Sequence, residues 1–134
     1  MLSVFPELFS YALVVPLVFR IVIGILFIGF GYKNITENRE GKIKILSDFK
    51  LASASVWLWC IAIIEIISGV LLVGGVYTQV VALILSVFLI IAIIGKYKNP
   101  SAVSLSQETV WLLILVTTSL LFLGPGFYSF DLPL

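Results

Sequence analysis

The run VWLWCIAIIEIISGVLLVGGVY, residues 56–77, carries one charged side chain in 22 residues. A helix needs about 20 such residues to cover a hydrocarbon core of about 30 Å, and in lipid it must satisfy its backbone groups internally. The run therefore predicts a membrane-spanning helix. Three other segments share its character: residues 11–32, 80–95 and 108–123. The last two are short, about 24 Å at 1.5 Å per residue, so they span with little tilt or in a thinned bilayer. The chain is 61% hydrophobic over 134 residues, more apolar surface than one soluble core of that size can hide. The expected fold is all-α: a single domain, residues 1–134, built as a four-transmembrane-helix bundle.

The charges divide by end. Between the first two segments lies KNITENREGKIKILSDFKLASAS, with Lys33, Arg39, Lys42, Lys44 and Lys50; between the last two lies KYKNP, with Lys96 and Lys98. Four crossings put both loops at one end of the bundle, where they gather seven of the eight basic residues. The positive-inside rule makes that end cytoplasmic and places both termini outside, as in a multi-pass plasma-membrane protein. Glu37, Glu40 and Asp48 are mixed into the first loop, residues 33–55, which reads as a solvated connector. Tyr11, Tyr32, Trp57, Trp59, Tyr77, Tyr97, Trp111 and Tyr128 lie near segment ends, as interfacial anchors do. The opening MLSVFPELFSYALVVPLVFR has neither the basic start nor the small-x-small cleavage site of a signal peptide, so it is expected to stay in the mature protein. Residues 1–10 are compatible with a short interfacial helix that Pro6 interrupts.

Ionisable groups inside a span cost about 2.5–3.5 kcal/mol each and are usually turned inward and paired. Arg20 and Glu65 are the two clear cases. On a helical wheel Arg20 shares a face with Gly24, Phe27 and Gly31, and Glu65 shares one with Gly69 and Leu72, so each charge lies on a stripe where helices can approach closely. Counting from the cytoplasmic helix ends gives the two residues similar depths, which predicts an Arg20–Glu65 ion pair. Such a pair either neutralises itself and sets register, or serves a ligand or a proton. Ala82 and Ser86 make a similar small step in the third segment. Glu108, after SLSQ, suits the first turn of the fourth helix, where a carboxylate favours the dipole and a serine can cap; it could also pass protons or touch a head group at the cytoplasmic mouth. At the other end, Gly124 offers a left-handed cap, Pro125 stops the helix and Gly126 lets the chain turn back. The tail FYSFDLPL could then fold over the bundle mouth, where Asp131 competes with Glu65 for Arg20.

Several kinds of chemistry are excluded or disfavoured. There is no histidine, no methionine beyond Met1 and one cysteine, Cys60, so haem, copper or zinc ligation by this chain alone is not expected and a dithiol relay is impossible. Cys60, in an apolar run, reads as a small core residue. A formal net charge of +1 gives no sign of nucleic-acid binding.

These residues together resemble the DoxX family of four-helix membrane proteins. The resemblance rests on Arg20-x3-Gly24-x2-Phe27-x3-Gly31 with Lys33, then Glu65-x3-Gly69-x2-Leu72-x2-Gly75 with Thr78, then Glu108, and finally Gly124-Pro125-Gly126-x2-Ser129-x-Asp131. It covers nearly the whole chain, and the terminal motif is its most specific part. The sequence departs at Phe30, where relatives often carry a histidine, and in its long charged first loop. The resemblance implies a membrane subunit linked to respiratory or sulfur redox chemistry, such as the quinone-reducing thiosulfate oxidoreductase and terminal oxidase systems, or to oxidative-stress complexes. Any such chemistry would use a quinone held in the bundle or a partner redox protein.

Three readings of function follow. The first is a quinone-contacting or non-catalytic subunit with Arg20 and Glu65 as the polar centre of a cavity. The second is a small oligomeric transporter or channel, with the buried charges marking a pathway. The third is an assembly or docking factor using the tail or the first loop.

Overall fold

The computed structural model describes residues 11–12, 14–50, 52–103, 105–126 and 129–130. Among these residues the chain is all-α, with helices α1 (Val14–Thr36), α2 (Arg39–Asp48), α3 (Ala54–Gly74), α4 (Thr78–Lys98) and α5 (Gln107–Leu123). By length and composition α1, α3 and α4 can each cross a membrane, and α5 is a shorter apolar helix of 17 residues. Residues 1–10, expected as an interfacial helix, lie outside the described residues, as do Phe127, Tyr128 and Asp131 of the tail.

The helix ends differ from the expected ones for local reasons. α1 continues a full turn past Tyr32 through Lys33 and Asn34, polar groups that tolerate the interface and, for Lys33, favour the negative end of the helix dipole. α3 stops at Gly74 because Gly75 takes φ 67°, ψ 37°, a left-handed cap. The N–H groups of Gly75 and Val76 then bond the carbonyls of Leu72 and Leu71. α4 starts directly after this turn and runs on to Lys98. Ser106 caps α5 as its sequence suggested, its hydroxyl accepting from the Thr109 N–H, with Glu108 in the first turn. Gly124 ends α5 at φ 76°, but its ψ of −168° departs from the compact left-handed cap that was expected.

The first loop is not only a solvated connector, because it contains α2. Asn38 (φ 46°) begins this helix and Lys50 (φ 57°) follows it, both in left-handed backbone. Its Ile45 and Leu46 are half-buried, and it packs mainly on α3. Arg39 ties the start of α2 down, donating to the Ser55 hydroxyl at 3.2 Å and lying 5.4 Å from the centre of the Trp59 ring.

The apolar helices form two close pairs, α1 with α3 and α4 with α5. Glycine sets the first contact. A Cβ on Gly24 would come within 2.7 Å of the Gly69 carbonyl, and one on Gly31 within 2.7 Å of the Ala62 carbonyl. The second pair closes on the Ala82 and Ser86 step, where the Ser86 hydroxyl lies 3.0 Å from that of Thr117. Ile23, Phe27, Leu72, Val81, Leu85, Leu89, Ile93, Val110 and Leu113 form the shared core. Only 33–39% of each long span's most apolar stretch is buried, so most of its aliphatic surface faces outward, as a bilayer requires. Cys60 is part of that outward surface and not of the core.

A cavity at the basic end, and Arg20 at the other

The two buried charges lie at different levels of the bundle. Close approach at Gly24 and Gly69, and again at Gly31 and Ala62, fixes the register of the antiparallel α1 and α3. Arg20 is then level with Val73 and Glu65 with Ile28, about eight residues or roughly 12 Å apart along the axis. Direction separates them further. Helical side chains lean toward their own N-terminus, so in antiparallel neighbours Arg20 leans toward the tail end and Glu65 toward the basic end. The expected Arg20–Glu65 ion pair does not form.

The same geometry brings Glu65 to Asn34. Asn34 leans toward the N-terminus of α1 and therefore toward Glu65; its Nδ2 donates to the carboxylate Oε2 at 2.6 Å. Glu65 is buried, with 6% of its surface exposed. Sequence reasoning passed over Asn34 because it stood beyond the expected helix end, although it falls one turn after Gly31 and Phe30 on the inward side.

Arg20, 1% exposed, belongs to the tail. Its Nη1 donates to the Pro125 carbonyl at 2.6 Å. Gly75 makes room for it: a Cβ there would lie 2.5 Å from Arg20 Nη1 and 2.8 Å from Ser129 Cβ, besides being strained at that φ. Gly75, Gly124, Pro125, Gly126 and the buried Ser129 thus gather around the Arg20 end, and the chain after α5 does return over the bundle. Asp131, the other expected partner of Arg20, lies outside the described residues. Glu108 is exposed on α5 and lines no part of the cavity described next.

A cavity of about 550 Å³ occupies the basic end, within the range typical of small-molecule sites. Phe27, Phe30 and Asn34 of α1, Leu58, Ile61 and Glu65 of α3, and Phe88, Ala92 and Gly95 of α4 form its walls. Ile45, Leu46 and Phe49 of α2 and its following residue close it from the basic side, and Lys33, Glu37 and Lys42 stand at its polar edge. Phe27 and Phe30 meet edge to face, with ring centres 5.9 Å apart. Lys42 bonds the Lys33 carbonyl at 3.1 Å, closing the end of α1. Partial burial holds the Lys42 ammonium below its ordinary pKa, opposed by the nearby carboxylates of Glu37 and Glu65 and reinforced by Lys33. The chemistry available here is that of an apolar, aromatic chamber with one internal amide–carboxyl pair. It can grip a flat apolar body and hydrogen-bond a polar group at its edge.

Comparison with known proteins agrees with the architecture. The DoxX family model matches residues 15–97, the stretch from α1 into the last turn of α4. A protein of Bacillus subtilis (strain 168), named "Putative oxidoreductase CatD", is 33% identical over 116 residues, covering 86% of this chain and 83% of that protein. No solved structure matches at a significant level. With a family match over more than half its length and a relative aligned along most of it, this multi-pass membrane protein belongs to the DoxX family.

Proposed function

We propose that the protein is a quinone-contacting component of a membrane redox system, with the basic-end cavity as its quinone site. The observation that carries this reading is the pairing of Asn34 and Glu65 inside an otherwise aromatic and aliphatic chamber of about 550 Å³. A quinone is flat, apolar on its faces and hydrogen-bonding at two opposite edges. Phe27, Phe30 and Phe88 offer surfaces for the faces. Asn34 spends one amide hydrogen on Glu65 and has a second for a quinone carbonyl, and the Glu65 carboxylate can accept from a quinol hydroxyl. Electrons would be exchanged with a partner redox protein, in keeping with the oxidoreductase in the relative's name. Arg20 has no part in the site, since it holds the opposite end together. The basic end is assigned to the cytoplasm by its lysines and arginine, and both termini to the outside.

A passage for solutes is less well supported. Among the described residues, the fully buried Leu72 and Leu85 belong to the core between the cavity and the Arg20 end, which argues against a passage through a single copy.

The test is quinone binding by the purified protein in lipid nanodiscs. Asn34→Leu and Glu65→Leu should each weaken it by about tenfold or more, the loss expected for one hydrogen bond involving a charged group. Glu108→Gln, away from the cavity, should bind as the parent does. Equal binding by all of these variants would remove the proposal.

A further inference from the structure

The cavity does not stop at the packed interior. Successive helical residues turn by about 100°, so Leu89 and Ile91 point about 200° apart on α4. Leu89 is core, 4% exposed, whereas Ile91 is 63% exposed, yet both line the cavity. The chamber therefore wraps one flank of α4, passing Phe88, Ala92 and Gly95 on its way from the core to the outer face. Facing that flank are Leu58 and Ile61 of α3, a helix that touches α4 only sparingly.

Two observations say what lies beyond the opening. Its rim at Ile91 is continuous with Val87, Ile90 and Ile94, all broadly exposed aliphatic side chains of a membrane span. From the basic side, α2 closes the chamber, and its end at Asp48 and Phe49 reaches the end of α4 at Lys98 and Asn99 across a small cleft. The open side thus faces hydrocarbon. Gly95 lines this side. Glycine inside a helix is unfavourable, and Gly95 has neither a left-handed φ nor a close neighbour, since a Cβ there would meet nothing within 4 Å.

We infer that the gap between α3 and α4 is a side entrance from the bilayer, and that the ligand is an amphiphile with a long hydrocarbon or prenyl tail. Its head lies beside Asn34 and Glu65 while its tail leaves past Ile61, Ile91 and Gly95 into lipid. The quinone identity of the head rests on the function proposed above; the entrance and the tail do not. A tail that stays in lipid never exposes its methylenes to water, so sideways entry avoids the hydrophobic cost that a route through the polar edge would impose.

Gly95→Trp puts an indole into the gap from a position where a Cβ meets nothing within 4 Å, and a thermal melt of the variant verifies that it folds. Three probes are titrated into nanodisc-embedded parent and variant: a naphthoquinone without a tail, the same head with a decyl tail, and hexadecanol. The parent should bind the tailed quinone more tightly than the tail-less one. Gly95→Trp should weaken the tailed quinone by about tenfold more than it weakens the tail-less one, the equivalent of about two unburied methylenes. Asn34→Leu should weaken both quinones. If only hexadecanol binds the parent and Gly95→Trp abolishes it, the entrance stands and the quinone reading falls. If Gly95→Trp leaves every tailed probe unaffected, or if no tailed probe binds the parent, the side entrance is wrong.

Discussion

Asn34 and Glu65 show how much one hydrogen bond decides inside an apolar chamber. Glu65 is nearly free of solvent, and Asn34 supplies its hydrogen bond. Replacing Asn34 with leucine leaves a buried carboxyl without that donor, whereas replacing both residues leaves neither group wanting. Asn34→Leu should therefore cost about 1–3 kcal/mol, and the double variant Asn34→Leu with Glu65→Leu should recover most of that loss. Unfolding in mixed detergent micelles measures both; additive losses would mean that the two side chains act independently. Gly75 illustrates a different economy at the far end, where one position must be glycine for its left-handed backbone and again for the guanidinium packed against it.

At the level of helices, glycine divides into contacts and openings. Gly24, Gly31 and Gly69 are places where a side chain would strike the facing backbone, but Gly29 has nothing within 4 Å of its absent Cβ. Gly24→Leu should thus lose about 1–3 kcal/mol of stability by overpacking. Gly29→Leu, on an exposed surface, should stay within about 0.5 kcal/mol of the parent. A melting comparison of the two variants separates these cases, and equal losses would contradict the α1–α3 contact. The wheel positions of Gly24, Gly31 and Gly69 made this contact legible from sequence; the apolar runs, a serine cap before α5 and the helix stop at Gly124 were legible as well. Axial offset was not legible. Periodicity gives the rotational phase of each helix, but the level at which two helices meet depends on both partners, and this is why Arg20 was paired with the wrong residue. α2 was hidden for another reason: its few apolar side chains, Ile43, Ile45 and Leu46, are scattered among charges and bury only when α3 and the cavity are present.

For the whole molecule, charge supplies the vector that packing lacks. α2 and both basic loops lie at one end, and the Arg20 cluster closes the other. With Cys60, which is exposed, replaced by alanine, Ser101→Cys should react with a membrane-impermeant maleimide only in inside-out vesicles, and Tyr77→Cys only in intact cells. The opposite pattern would invert the assigned orientation and move the cavity to the outer leaflet. The bond from Arg20 to the Pro125 carbonyl also has a meaning in time. It joins positions 105 residues apart, so the guanidinium of the first span meets that carbonyl only after every other helix has been synthesised. A chain cut short before Pro125 enters the bilayer with this bond unmade, so the contact that closes the Arg20 end is the mark of a chain finished through its last helix.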